Sequence, residues 1–197
     1  MEESSEFARI FGLSYEVTNR FYEVAELILL ISGSFLIPFA IGHPQFLVGA
    51  LVNLFLILSA VHVRDYKIIF PILLPSIAAL SRAVLFGPFT KYLLFMIPFI
   101  WIGNLVLVLS IKLLGISRNA GLILSGVAGS ALKAAFLFSS AYLLFRLGMV
   151  PRMFLTSFGI MQFTTAAVGL IIAYPIVRLT SRMPGLKPGR RTHHGRR

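Results

Sequence analysis

The sequence has no cysteine. Disulfides, thiolate metal sites, iron–sulfur clusters and cysteine nucleophiles are therefore excluded. Acidic residues are also scarce: seven Asp and Glu stand against eighteen Lys and Arg in 197 residues. There is no carboxylate cluster, no glycine-rich phosphate loop and no H-E-x-x-H pattern. Ser125-Gly126 approaches the signature of an intramembrane serine protease, but Ile123 stands where that signature needs glycine. His43 and His62 lie at opposite ends of one apolar run, and His193 and His194 fall in a polar tail, so no nucleophile–base pairing can be built. The expectation is a protein that is not an enzyme, with no catalytic residue, metal or cofactor.

Charge of either sign is thin as well, at 13% of residues, about half the share of an ordinary soluble domain. Apolar residues make up 57%, and the mean hydropathy is +0.88. A soluble fold of this size could not hide so much apolar surface. A bilayer core of roughly 30 Å takes about 20 apolar residues per helix, and six such segments can be drawn. They run from about Asn19 to Ile41, from the Gly42-His43-Pro44 turn to Val63, from Lys67 to Phe86, from Tyr92 to Leu114, from Ala120 to Leu147 and from Leu155 to Leu179. Their continuous apolarity is not the alternation of a barrel strand. The predicted fold is an all-α integral membrane protein, a six-transmembrane-helix bundle over residues 19–180, leaving no room for a soluble catalytic domain.

Residues 1–18 read as an N-terminal cytoplasmic or interfacial segment, in which Ser4 caps a short helix carrying Phe7, Ile10, Phe11 and Ser14 on one side. The acidic start is not that of a signal peptide. Residues 181–197 read as a basic, disordered C-terminal tail. With the N-terminus inside, thirteen Lys and Arg fall on inner segments and four on outer loops (Arg82, Lys91, Arg146 and Arg152), with Lys133 inside a helix. By the positive-inside rule both termini face the cytoplasm. The net charge of +11 is then a matter of topology, not of nucleic-acid binding. The tail, with Arg182, Lys187, Arg190, Arg191, Arg196 and Arg197, is expected to meet anionic lipid headgroups.

Polar groups at membrane depth point to function. At a rise of about 1.5 Å per residue, Glu26 and Lys133 come to similar depth, which predicts an intramembrane ion pair. Asn53 and Asn104 can hydrogen-bond across helices, with Gln162 nearer the outer side. Trp101 and the four outer cations suggest a cavity open to the outside for a small solute. Rows of small residues, Gly121/Ser125/Gly129 and Gly126/Ser130/Ala134 on the fifth helix and Thr165/Gly169/Ala173 on the sixth, allow close backbone approach.

Several stretches resemble one known group. Gly49-Ala50-Leu51-Val52-Asn53 is similar to a G-P-L-V-N motif, Pro75 to Ser81 (P-S-I-A-A-L-S) to P-S-x-x-A-L-S, Pro98 to Asn104 (P-F-I-W-I-G-N) to P-F-I-x-x-G-N, and Leu132 to Phe138 (L-K-A-A-F-L-F) to L-K-x-x-x-L-F. Gln162 followed by small residues fits too. Over about Pro44 to Leu179 the chain resembles the substrate-binding S component of energy-coupling factor (ECF) transporters, in a six-helix group whose relatives sometimes carry an iron-hydrogenase label. The lack of cysteine makes that label's chemistry untenable here.

The resemblance implies six helices with cytoplasmic ends, capture of a vitamin, a precursor or a metal ion from outside, and partnership with a transmembrane coupling subunit and two ATPases. Taken with the polar groups at membrane depth and the outer cations, the expected ligand site is drawn from Asn53, Ser81, Arg82, Trp101, Asn104, Lys133 and Gln162. Where many S components carry A-x-x-x-A on the first helix, this chain has only Ala25 and the Ser32-Gly33-Ser34 cluster. Two other classes compete. A standalone small transporter or channel would often show an internal repeat, and a non-catalytic scaffold subunit would show packed helices and no cavity.

Overall fold

The structure is a computed structural model that describes residues 10–11, 15–17, 20–82, 87–180 and 186–188. Six helices form the body: α1 (Arg20–Ala40), α2 (Gln45–His62), α3 (Ile69–Arg82), α4 (Leu93–Ser110), α5 (Leu122–Arg146) and α6 (Ile160–Thr180). Short 3-10 turns, Asp65–Ile68 and Gly87–Tyr92, lead into α3 and α4. The end of α4 widens into a π-helical stretch, Ile111–Ser117. A six-residue helix, Met153–Phe158, runs up to α6 with Gly159 between them.

Among the described residues, five helical runs are long and apolar enough to cross a membrane: Glu23–Ala40, Gln45–His62, Pro88–Ser117, Leu122–Arg146 and Met153–Thr180. The third expected span differs. α3 has 14 residues, about 21 Å at the helical rise, because its first turn is 3-10 and it is followed to Arg82 only. The expected continuation to Phe86 lies outside the described residues. Large apolar side chains, among them Phe21, Leu29, Leu143 and Ile171, stand exposed on the outer faces. Such a surface is compatible with a multi-pass membrane protein.

α1 and α2 fold back on each other at Gly42, whose φ of 65° is open to glycine at no steric cost. This turn marks the upper end of the bundle. At the lower end the strand β1 (Tyr15–Val17) pairs antiparallel with β2 (Leu186–Pro188), Glu16 opposite Lys187. Part of the tail expected to be disordered thus lies in a ladder beside the start of the chain. The rest of the tail, and Ser4, Phe7 and Ser14 of the expected N-terminal helix, lie outside the described residues.

α2 packs on α6, α4 on α5, and α1 on α3. Two apolar clusters result. The lower one joins Leu56, Ile57 and Ala60 of α2 to Leu107 and Val108 of α4 and Leu170 and Ala173 of α6. The upper one joins Ala79, Leu93, Met96, Leu137, Ala141 and Phe154. At the α2–α6 seam the two backbones come close together. A Cβ on Gly169 would come within 2.8 Å of the backbone nitrogen of Leu54 and 3.0 Å of the Ala50 carbonyl oxygen. Helix backbones meet this closely only where a residue brings no side chain.

Gly169→Val is therefore expected to push α2 off α6 and to destabilise the protein by about 1–3 kcal/mol. Ile171→Val, on the exposed face of the same helix, should stay within about 0.5 kcal/mol. Thermal unfolding of the detergent-solubilised variants measures both. Equal midpoints would show that the seam is not tight.

Candidate functional site

Between the two apolar clusters lies a layer of polar side chains, one from almost every helix. On α3, Ser76 falls between Ile72 of the lower cluster and Ala79 of the upper one. On α4, Asn104 falls between Met96 and Leu107, and on α6, Thr165 precedes Leu170. Asn53 of α2 and Lys133 of α5 complete the layer. All five are buried.

Their hydrogen bonds form a directed chain. The Lys133 Nζ donates to Asn53 Oδ1 at 2.6 Å. That contact fixes the Asn53 amide, whose Nδ2 donates to Thr165 Oγ1 (3.1 Å) and to the Gly49 carbonyl (2.9 Å). Thr165 in turn donates to the Met161 carbonyl at 2.8 Å. On the other side Asn104 Nδ2 donates to the Ile72 carbonyl at 2.9 Å, at a turn of α3 where Pro75 interrupts the helical ladder. Trp101 Nε1 donates to Ser76 Oγ at 2.8 Å. Asn104 Oδ1 and the side-chain amide of Gln162 have no hydrogen-bond partner among the described residues.

These groups line a cavity of about 90 Å³, room for a few waters or a small solute. Its floor is Asn53, Asn104 and Lys133. Its walls rise past Gln162 towards Pro38, Gln45 and Leu93, residues at the upper ends of their helices. A second hollow, of about 510 Å³ and almost wholly apolar, lies lower between α3 and α4, with Phe11, Ile69, Leu105 and Trp101 in its walls and Asp65 and Tyr66 at its rim. Trp101 therefore stands between the two spaces, its ring lining one and its N–H on a hydroxyl of the other.

Of the residues expected from sequence, Asn53, Asn104, Lys133 and Gln162 line one cavity, and Trp101 reaches it through Ser76. Ser81 and Arg82 do not line it. Ser81 is exposed and its hydroxyl donates to the Ile77 carbonyl of its own helix. Arg82 donates from Nη1 to the Phe39 carbonyl at 2.8 Å, with its guanidinium 5.8 Å from the Phe39 ring, so it ties the upper ends of α1 and α3 together. Lys91 lies over Tyr92, and Arg146 contacts the Tyr142 hydroxyl. The expected Glu26–Lys133 ion pair is not formed. The Glu26 carboxylate lies against Nδ1 of His62, the last residue of α2. The α1–α2 hairpin reflects the start of one helix onto the end of the other, and that proximity overrides equal depth on α1 and α5. Sequence reasoning also missed Thr165 and Ser76 as members of the layer and placed Lys112 with the inner charges, although it is fully buried.

Lys133 and Asn53 are expected to behave as a coupled pair. Asn53→Leu should cost about 2–3 kcal/mol by stranding the lysine amino group, and Lys133→Met a similar amount by stranding Asn53 Oδ1. The double variant should lose well under the sum, since both partners then go together. Additive losses in chemical unfolding would show that the two do not interact. Comparison with known proteins finds no matching family model, no similar curated protein and no similar solved structure.

Proposed function

We propose that this chain is the membrane-embedded solute-binding subunit of an ECF-type importer. One observation carries the reading. Asn53, Ser76, Asn104 and Lys133, each from a different stretch that resembles the S-component motifs, converge on a single polar cavity that leads to one end of the bundle. Polar groups that line a cavity without a protein partner are open to a ligand that completes them.

In this reading the upper end of the bundle faces outward and both termini are cytoplasmic, in a prokaryotic plasma membrane. The solute descends from the Gln45 and Gln162 level to the Asn53–Asn104–Lys133 floor. Binding energy comes from replacing water on those groups with a solute of matching polarity. The chain has no nucleotide motif, so the energy for release inward comes from a transmembrane coupling subunit and two ATPases.

Gentle extraction followed by native mass spectrometry should find one small-molecule adduct on the wild type that is absent from Asn104→Leu. A tagged chain should also co-purify two ATP-hydrolysing subunits from its native membrane. An adduct-free wild type that brings no ATPase with it would refute the proposal. A C-terminal tag should be cut by protease only from the cytoplasmic side, and cleavage from the outside alone would overturn the orientation.

A further inference from the structure

The bundle buries two lysines, and the fold treats them differently. Lys112 has no exposed surface. Its Nζ donates to the Val63 carbonyl at 3.0 Å, at the C-terminal end of α2, where the helix dipole favours a cation. Asp65 is close enough to act on it electrostatically. Lys112 thus has a carbonyl acceptor and a carboxylate in its surroundings, set against the Arg64 guanidinium and its own burial.

Lys133 is 2% exposed and has no such provision. Its one hydrogen-bond partner among the described residues is the neutral amide of Asn53. An amino group in its charged form has three donors, and Asn53 takes one. Among the described residues, no Asp or Glu lines the cavity. Glu26, the acid that depth alone would have offered, is turned to His62. A buried ammonium without a counter-charge is strongly unfavourable, and either loss of its proton or an anion beside it relieves that cost. The cavity is open space beside Lys133.

From this we infer that the cavity takes a small monoanion, a carboxylate or an inorganic anion of a few heavy atoms, whose negative charge lies on Lys133 and whose remaining polar atoms meet Asn104 and Gln162. The inference rests on the proposed solute-binding role. It narrows the cargo, since a floor made of an amino group and two amides, with no carboxylate, repels a bare metal cation. The size of the cavity sets the upper limit on the anion, and Lys133 sets its sign.

The test uses the full chain in neutral detergent, at constant ionic strength and without other small anions in the buffer. Formate, acetate, propionate and nitrate are titrated beside formamide, acetamide and propionamide, with saturation-transfer NMR and calorimetry as readouts. At least one anion should bind at least tenfold tighter than any amide, and Lys133→Met should erase that preference while leaving helical circular dichroism unchanged. The wild-type comparison stands by itself if the variant does not fold. Amides binding as tightly as their matching anions would overturn the inference and leave the solute site in place. Binding by neither set would overturn both.

Discussion

An amino group can sit in the middle of an apolar helix bundle only if polar groups from other helices meet it there, and the hydrogen bond from Lys133 to Asn53 is where that requirement is satisfied. Much of the surrounding structure follows from it. Asn53 can present its oxygen to Lys133 because its nitrogen is held by Thr165 and Gly49. Thr165 is within reach because α2 and α6 touch along backbones at Gly169. A side chain at that position would part the helices and open the 3.1 Å contact between Asn53 and Thr165. The small residues on α6 are thus connected to the charge on α5 through one amide.

The polar layer divides the core in two. Leu56, Ile57 and Leu107 pack below it, and Met96, Leu137 and Phe154 pack above it. The two clusters are separate, and the layer between them lines the cavity. Buried polar groups that serve only as fasteners are ordinarily satisfied on every side. The half-buried Gln162 amide and the side-chain carbonyl of Asn104 make no hydrogen bond among the described residues, and both residues line the same space as Lys133.

The helices were legible in the sequence because continuous apolar runs bounded by Gly, Pro and charge leave few alternatives, and α2 matches its expected limits almost to the residue. Much of the cavity lining was legible too, since Asn53, Asn104, Lys133 and Gln162 are conspicuous where their neighbours are Leu, Val and Phe. What did not follow was pairing. Equal depth on α1 and α5 suggested that Glu26 meets Lys133, but depth carries no information about which helices adjoin. The fold-back at Gly42 did carry it, and would have placed Glu26 with His62. Ser81 was drawn into the expected site by the motif and Arg82 by the sign of its charge, yet a serine can satisfy itself on its own helix and an arginine on a neighbouring helix end. Lys112 shows the converse: a cation close to a loop in sequence can still be buried when the helix continues into a wider π turn around it.

Trp101 is the single tryptophan of the chain, and its indole N–H ends on Ser76 Oγ, a hydroxyl in the cavity wall, while its ring lines the apolar hollow below. Indole emission responds to the hydrogen bond at its nitrogen and to the polarity around its ring. The protein therefore carries one built-in optical probe with a contact on each side of the wall. Any solute that draws Ser76 away from the indole, and anything that fills the hollow, alters that emission, so events in both spaces can be watched in the unlabelled protein.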